Sequence, residues 1–325
     1  MRRWGWSLLC LFWVVSSSGF AQGDKEVAHQ LLEKMASASQ FLNYTGIFTF
    51  VNGPKSWTMQ IVHSFDKHGE REYLKTIAGD AREVYRDDHS LISVANDNEL
   101  VLVESTSTGT HPASQTFDRE FSTDSKFYDY YLDGTEEIAG YTCQVISIVP
   151  RDQYRFGYRL CLESVSGLLL KSQVVDKSGQ PKEQLVFKSL EFPAAISGAD
   201  FKPDAYNKQL EAAAQPPEPQ EDSFNMLARW ELAELPPGFK IVQDTTRNIS
   251  GSASAVRHII LDDGIAAVSI FIKRPANGEK YHASKQASGA LNTLMKIRQG
   301  FVVTVIGEVP EATISAVYAA LKPIS

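Results

Sequence analysis

Three arginines, two tyrosines and a phenylalanine fall within nine positions of the stretch IVPRDQYRFGYRLCLES, residues 148 to 164. Guanidinium groups meet phosphates and carboxylates through charge-assisted hydrogen bonds, while aromatic rings stack on flat ligands. Arg151, Arg155 and Arg159 are therefore candidates for contact with lipid phosphates or with an acidic partner segment. The same alternation describes one hairpin of a half-buried sheet, with its rings packed and its arginines at the turn and on the wet face. Both readings remain open on the residues alone.

A second candidate group is apolar. In YTGIFTF, Tyr44, Phe48 and Phe50 share a face, and in SWTMQIVH so do Trp57, Met59 and Ile61. These six side chains form either ordinary core beneath a helix or a groove that accepts lipid acyl chains.

Cys143 and Cys161 are the cysteines outside the first twenty residues. If the hairpin loop is Arg151-Asp152-Gln153, they face each other directly and are close enough to bridge at a non-hydrogen-bonded site. The alternative is two small buried thiols.

Catalytic arrangements are not apparent. The chain has no G-x-S-x-G, no phosphate-cradling loop, no G-x-G-x-x-G and no H-E-x-x-H, so no cofactor is expected. His63 and His68 lie close in sequence but lack a third ligand at any diagnostic spacing, which reads as solvated histidines and no metal. Asp87-Asp88 and Asp262-Asp263 are acidic pairs in turns, where short carboxylates bond their own backbone.

The start of the chain bears on where it works. Arg2 and Arg3 precede an apolar run from Leu8 to Val15, and small residues lead to Ala21. This pattern reads as a secretory signal peptide over residues 1–21, giving an exported, soluble protein. Losing two arginines and no acid takes the net charge from −7 to −9. An acidic exported chain is a poor nucleic-acid binder, and that partner is set aside.

Helical spacing from Val27 through Leu31, Met35, Ala38 and Leu42 follows Asp24, a good N-cap. From Tyr44 the period drops to two, and about ten short strands with tight turns follow before residue 195. A second helix fits around Phe117 to Tyr131. The stretch EAAAQPPEPQEDS reads as a semi-rigid linker. Beyond it, WELAEL suggests a short helical turn. Hairpins are expected at Asp262-Asp263-Gly264 and Gln299-Gly300, and a last helix starts at Pro310. The fold class is thus α+β, mainly antiparallel β. Domains are expected at 22–205 and 224–325, joined by a linker over 206–223.

Several stretches resemble the RseB/MucB family of periplasmic regulators: LNYTGIFTFVNG, GEREYLKTIAGDAREVYRDD, the run from Pro150 to Phe192, WELAELPPGFKIV, DDGIAAVSIFI and GFVVTVIGEVPEATI. The resemblance implies a first domain like the lipoprotein carriers LolA and LolB, an open half-barrel with helices. It also implies a smaller β-rich C-terminal domain ending in a helix and binding the anti-sigma factor. Members of that family bind the periplasmic segment of an RseA/MucA-like anti-sigma factor and shield it from the site-one protease. Lipopolysaccharide or mislocalised lipid releases them, starting the sigma-E envelope-stress response. A second copy of the chain is a further candidate partner. Relatives tend to carry tryptophan where this chain has Cys161. Two other classes compete: a periplasmic lipid or lipoprotein carrier, and a hydrolase with an unrecognised site.

Overall fold

The computed structural model describes residues 18–67, 69–87, 90–95, 99–105, 126–197, 201, 230–248, 255–275 and 280–324. The expected linker over 206–223 and most of the expected signal peptide lie outside the described residues.

The first helix, α1, spans Ser18–Phe41. Asp24 is thus inside the helix rather than its cap. The buried stripe is Ala28, Leu32, Met35 and Ala38, while Val27 is 42% exposed. The stripe is therefore turned by one residue at its N-terminal end from the expected one.

Eleven strands follow: β1 Tyr44–Asn52, β2 Lys55–Asp66, β3 Gly69–Ala78, β4 Arg82–Asp87, β5 Ser90–Ala95, β6 Glu99–Ser105, β7 Tyr128–Ile138, β8 Tyr141–Pro150, β9 Gly157–Glu163, β10 Leu169–Val175 and β11 Pro181–Glu191. They form one sheet in the order β6-β5-β4-β3-β2-β1-β11-β10-β9-β8-β7. Two meanders run outward from the β1–β11 seam, so the consecutive strands β6 and β7 end at opposite edges and the sheet stays open. Each pairing is antiparallel, those of the two meanders through short connections and that of β1 with β11 by closing the meanders side by side.

Part of the expected second helix is strand. Tyr128 and Tyr130 are buried while Asp129 and Tyr131 point outward, a period of two with aromatic strand formers. Residues 117–125 of that expectation lie outside the described residues.

The second unit is a six-stranded sheet ordered β13-β14-β15-β18-β17-β16, from β13 Lys240–Asn248, β14 Ala255–Asp262, β15 Ala267–Lys273, β16 Ser284–Ser288, β17 Leu291–Arg298 and β18 Phe301–Gly307. Helix α2, Glu311–Ala320, has Pro310 one position before its first residue and buries Thr313, Ile314, Val317 and Ala320. WEL is not helical: β12, Trp230–Leu232, pairs with β19, Leu321–Pro323, so a three-residue strand follows α2. Trp230, Ile259, Val268, Ile270, Val303, Val305 and Val317 form the core of this unit.

Candidate functional site

The six apolar residues singled out on β1 and β2 do lie together. Phe48 pairs with Met59 and Phe50 with Trp57, while Ile61 sits opposite Gly46. All six point to one face of the sheet and differ in burial. Tyr44, Phe48 and Ile61 are buried among Leu74, Val84, Leu185 and Phe187, as core. Phe50, Trp57 and Met59 are half-buried, and the Phe50 and Trp57 rings stack at 5.8 Å.

Tyr44 stacks at 4.9 Å on His63, which is fully buried rather than solvated. One imidazole nitrogen, Nδ1, lies 2.7 Å from the Leu42 carbonyl and the other, Nε2, lies 3.2 Å from Glu70. Arg86 donates to the same Glu70 carboxylate and lies 3.7 Å from Glu72. Burial pulls the His63 pKa down, but the Glu70 hydrogen bond, the Glu72 charge and the Leu42 carbonyl outweigh it and hold the pKa above 6.5. Burial likewise favours a neutral Glu70, and its bond from His63 with the Arg86 charge reverses this, holding the carboxyl low. His68 lies outside the described residues.

The three hairpin arginines part company. Arg151 is half-exposed and forks onto Asp129, and that bond holds the Asp129 carboxyl below its usual range. Arg159 donates to Glu136 at 3.2 Å, where Lys171 also binds at 2.7 Å. Arg155 faces no ligand surface at all. Its side chain is 0% exposed, bonded to Asp152 in its own hairpin and to Asp263 and the Pro237 carbonyl of the second unit. A lipid or partner cannot reach it in this arrangement, which corrects the expectation for this residue. The loop length decides its place: Arg151–Phe156 separates β8 from β9, long enough to turn one arginine inward.

The same loop resets the cysteines. Cys143 lies opposite Glu163 and Cys161 opposite Val145, so the two are diagonal, not facing. They are nevertheless joined, with Cα atoms 5.3 Å apart, inside the range a disulfide spans. Both are buried in the first unit's core.

A cleft of about 610 Å³ opens in the first unit, lined by Phe41, Leu42, Tyr141, Val165 and Phe192 among others. Val165 is 84% exposed and Phe41 51%. Phe192 meets Tyr141 edge-to-face at 5.5 Å. The Glu163 carboxylate at its edge accepts from the Val165 and Ser166 amides and caps the β9–β10 turn. The cleft leaves no periodic signal in the sequence, because it gathers the ends of one helix and several strands.

Comparison with known proteins matches residues 27–205 to the MucB/RseB N-terminal domain and residues 225–322 to the MucB/RseB C-terminal domain. The chain is 28% identical over 303 residues to the sigma factor AlgU regulatory protein MucB of Pseudomonas aeruginosa, covering 91% of each chain. It is 22% identical over 305 residues to the sigma-E factor regulatory protein RseB of Haemophilus influenzae, covering 94% of each. The fold matches that of MucB in its crystal structure with MucA(peri), at TM-score 0.66 and 25% identity over 92% of this chain and 99% of the other. With both units matched in order along most of its length, the chain belongs to the MucB/RseB family.

Proposed function

We propose that this protein is a periplasmic negative regulator of a sigma-E-type envelope-stress response. It binds the periplasmic segment of an RseA/MucA-like anti-sigma factor and shields that segment from the site-one protease. Lipopolysaccharide or mislocalised lipid releases it. The observation that carries this reading is the likeness, across both units, to a MucB solved together with MucA(peri). In this reading residues 1–21 direct export, 22–205 sense lipid and 224–325 supply the partner surface. The half-buried Phe50, Trp57 and Met59 and the cleft at Phe41 and Phe192 are the apolar surfaces on offer to an acyl chain. Arg151 and Arg159, each exposed by 41% or more, remain able to meet phosphate or an acidic segment.

The test is protection. Site-one protease should cleave the isolated anti-sigma segment, spare it when this protein is added, and cleave it again on adding lipopolysaccharide. Unimpeded cleavage at saturating protein would refute the regulator reading. The open cleft supports a second reading, a carrier of lipid or lipoprotein, which predicts lipid uptake without any protection.

A further inference from the structure

Arg155 lies where the two units meet, and its surroundings are built around it. Its Nη1 and Nε atoms bond Asp152 and Asp263, and Nη2 donates to the Pro237 carbonyl at 2.6 Å. The guanidinium lies 4.2 Å from the Phe127 ring and 5.0 Å from Phe239. Gly238 has φ +90°, and a Cβ there would overlap the Phe127 ring and come 2.6 Å from Nη2. The Pro236–Phe239 turn is thus shaped to approach this one side chain. Tyr128 donates to Asp263 at 3.3 Å, Thr313 donates to the Tyr154 carbonyl at 2.6 Å, and Ile265 and Ala290 pack into the first unit's cluster.

An ion pair with both side chains fully buried adds little net stability over apolar packing of the same shape, but it fixes a geometry. The cost of breaking it is a stranded charge. Here neither charge is stranded. Asp152, on the same hairpin, is 25% exposed and stays with Arg155. Asp263 keeps the amides of Ile265, at 2.9 Å, and Ala266, at 2.7 Å, from its own turn. Each half therefore holds a partner of its own when the other leaves.

We propose that the Arg155–Asp263 pair is a releasable latch between the two units, specifying one arrangement while allowing them to part. A ligand on either unit then shifts the balance by favouring the latched or the parted arrangement. This inference rests on the junction alone, so its failure and that of the regulator reading are separate events.

Hydrogen exchange on the mature wild-type chain tests it, with Asp263→Asn as the variant. Asparagine retains an oxygen for the two turn amides and loses the charge. The latch predicts that 152–156 and 238–239 exchange at one common rate, faster than the paired interiors of β9, β14 and β15, while the Ile265 and Ala266 amides stay held by Asp263. Asp263→Asn should raise that rate at least tenfold at both segments, leave the strand interiors unchanged, and enlarge the radius of gyration in solution scattering. Unchanged exchange at 152–156 and 238–239 in the variant would overturn the proposal. Should the variant fail to fold, the wild-type comparison decides: segments as slow as the strand interiors mean a permanent interface and no latch.

Discussion

Cys143 and Cys161 are bonded diagonally across the β8–β9 hairpin, with Val145 rather than Cys143 in register opposite Cys161. The bond ties two adjacent strands within the first unit's core cluster, against which Tyr141 of the cleft packs. With the cysteines 18 positions apart in sequence, closure of the loop removes unfolded-state freedom worth about 3 kcal/mol. Replacing both with alanine should lower the unfolding free energy by about 2–4 kcal/mol in guanidinium titration. Native mass measurement should find no free thiol in the mature protein; two free thiols would refute the bond.

The buried His63–Glu70 pair sets a pH dependence with a definite sign. The His63 pKa is raised in the fold, so its contribution is complete below 6.5 and is lost as pH rises through the folded value. Glu70 is lowered, so its contribution holds above the usual carboxylate range and is lost as pH falls through the folded value. Stability measured by urea unfolding should decline as pH rises above 6.5, and His63→Gln should flatten that decline. A decline of equal slope in the variant would assign it to other groups.

Core and half-buried members of the β1–β2 face should separate under mutation. Phe48, 3% exposed, should cost about 3–5 kcal/mol of stability on truncation to alanine. Trp57→Ala, at the half-buried end, should cost about 1 kcal/mol and should weaken uptake of a fluorescent fatty acid. Undiminished uptake would remove this end of the face from the lipid surface.

Gly238→Ala adds a methyl group where φ is positive and where Phe127 and Arg155 already fill the space. It should destabilise the junction by about 1–3 kcal/mol, read as faster proteolysis between the units with the strand cores still protected. Wild-type resistance to protease would show that the turn relaxes freely.

Much of the architecture was legible where the signal is local. Strands β8 to β11 fall among the short strands expected before residue 195, and Gln299-Gly300 forms the expected two-residue turn, with φ of 50° and 77° joining Arg298 to Phe301. Asp262 and Asp263 bond turn amides as their residue type implies. Features set by distant partners were not legible. Trp230–Leu232 is a strand because Leu321–Pro323 pairs with it across the whole second unit. Tyr128 to Tyr131, expected as the end of a helix, are strand because β8 pairs with them. Arg155 looked like its two neighbours because nothing in its hairpin reveals Asp263, more than a hundred residues away. His63 looked solvated for the same reason: burial by Tyr44 and the end of α1 is tertiary.

The most direct measurement is calorimetric binding of the mature protein to the periplasmic segment of its own organism's anti-sigma factor, followed by titration with lipopolysaccharide. The account predicts tight association that lipopolysaccharide reverses. No association, with lipid still taken up, would contradict it and leave the carrier.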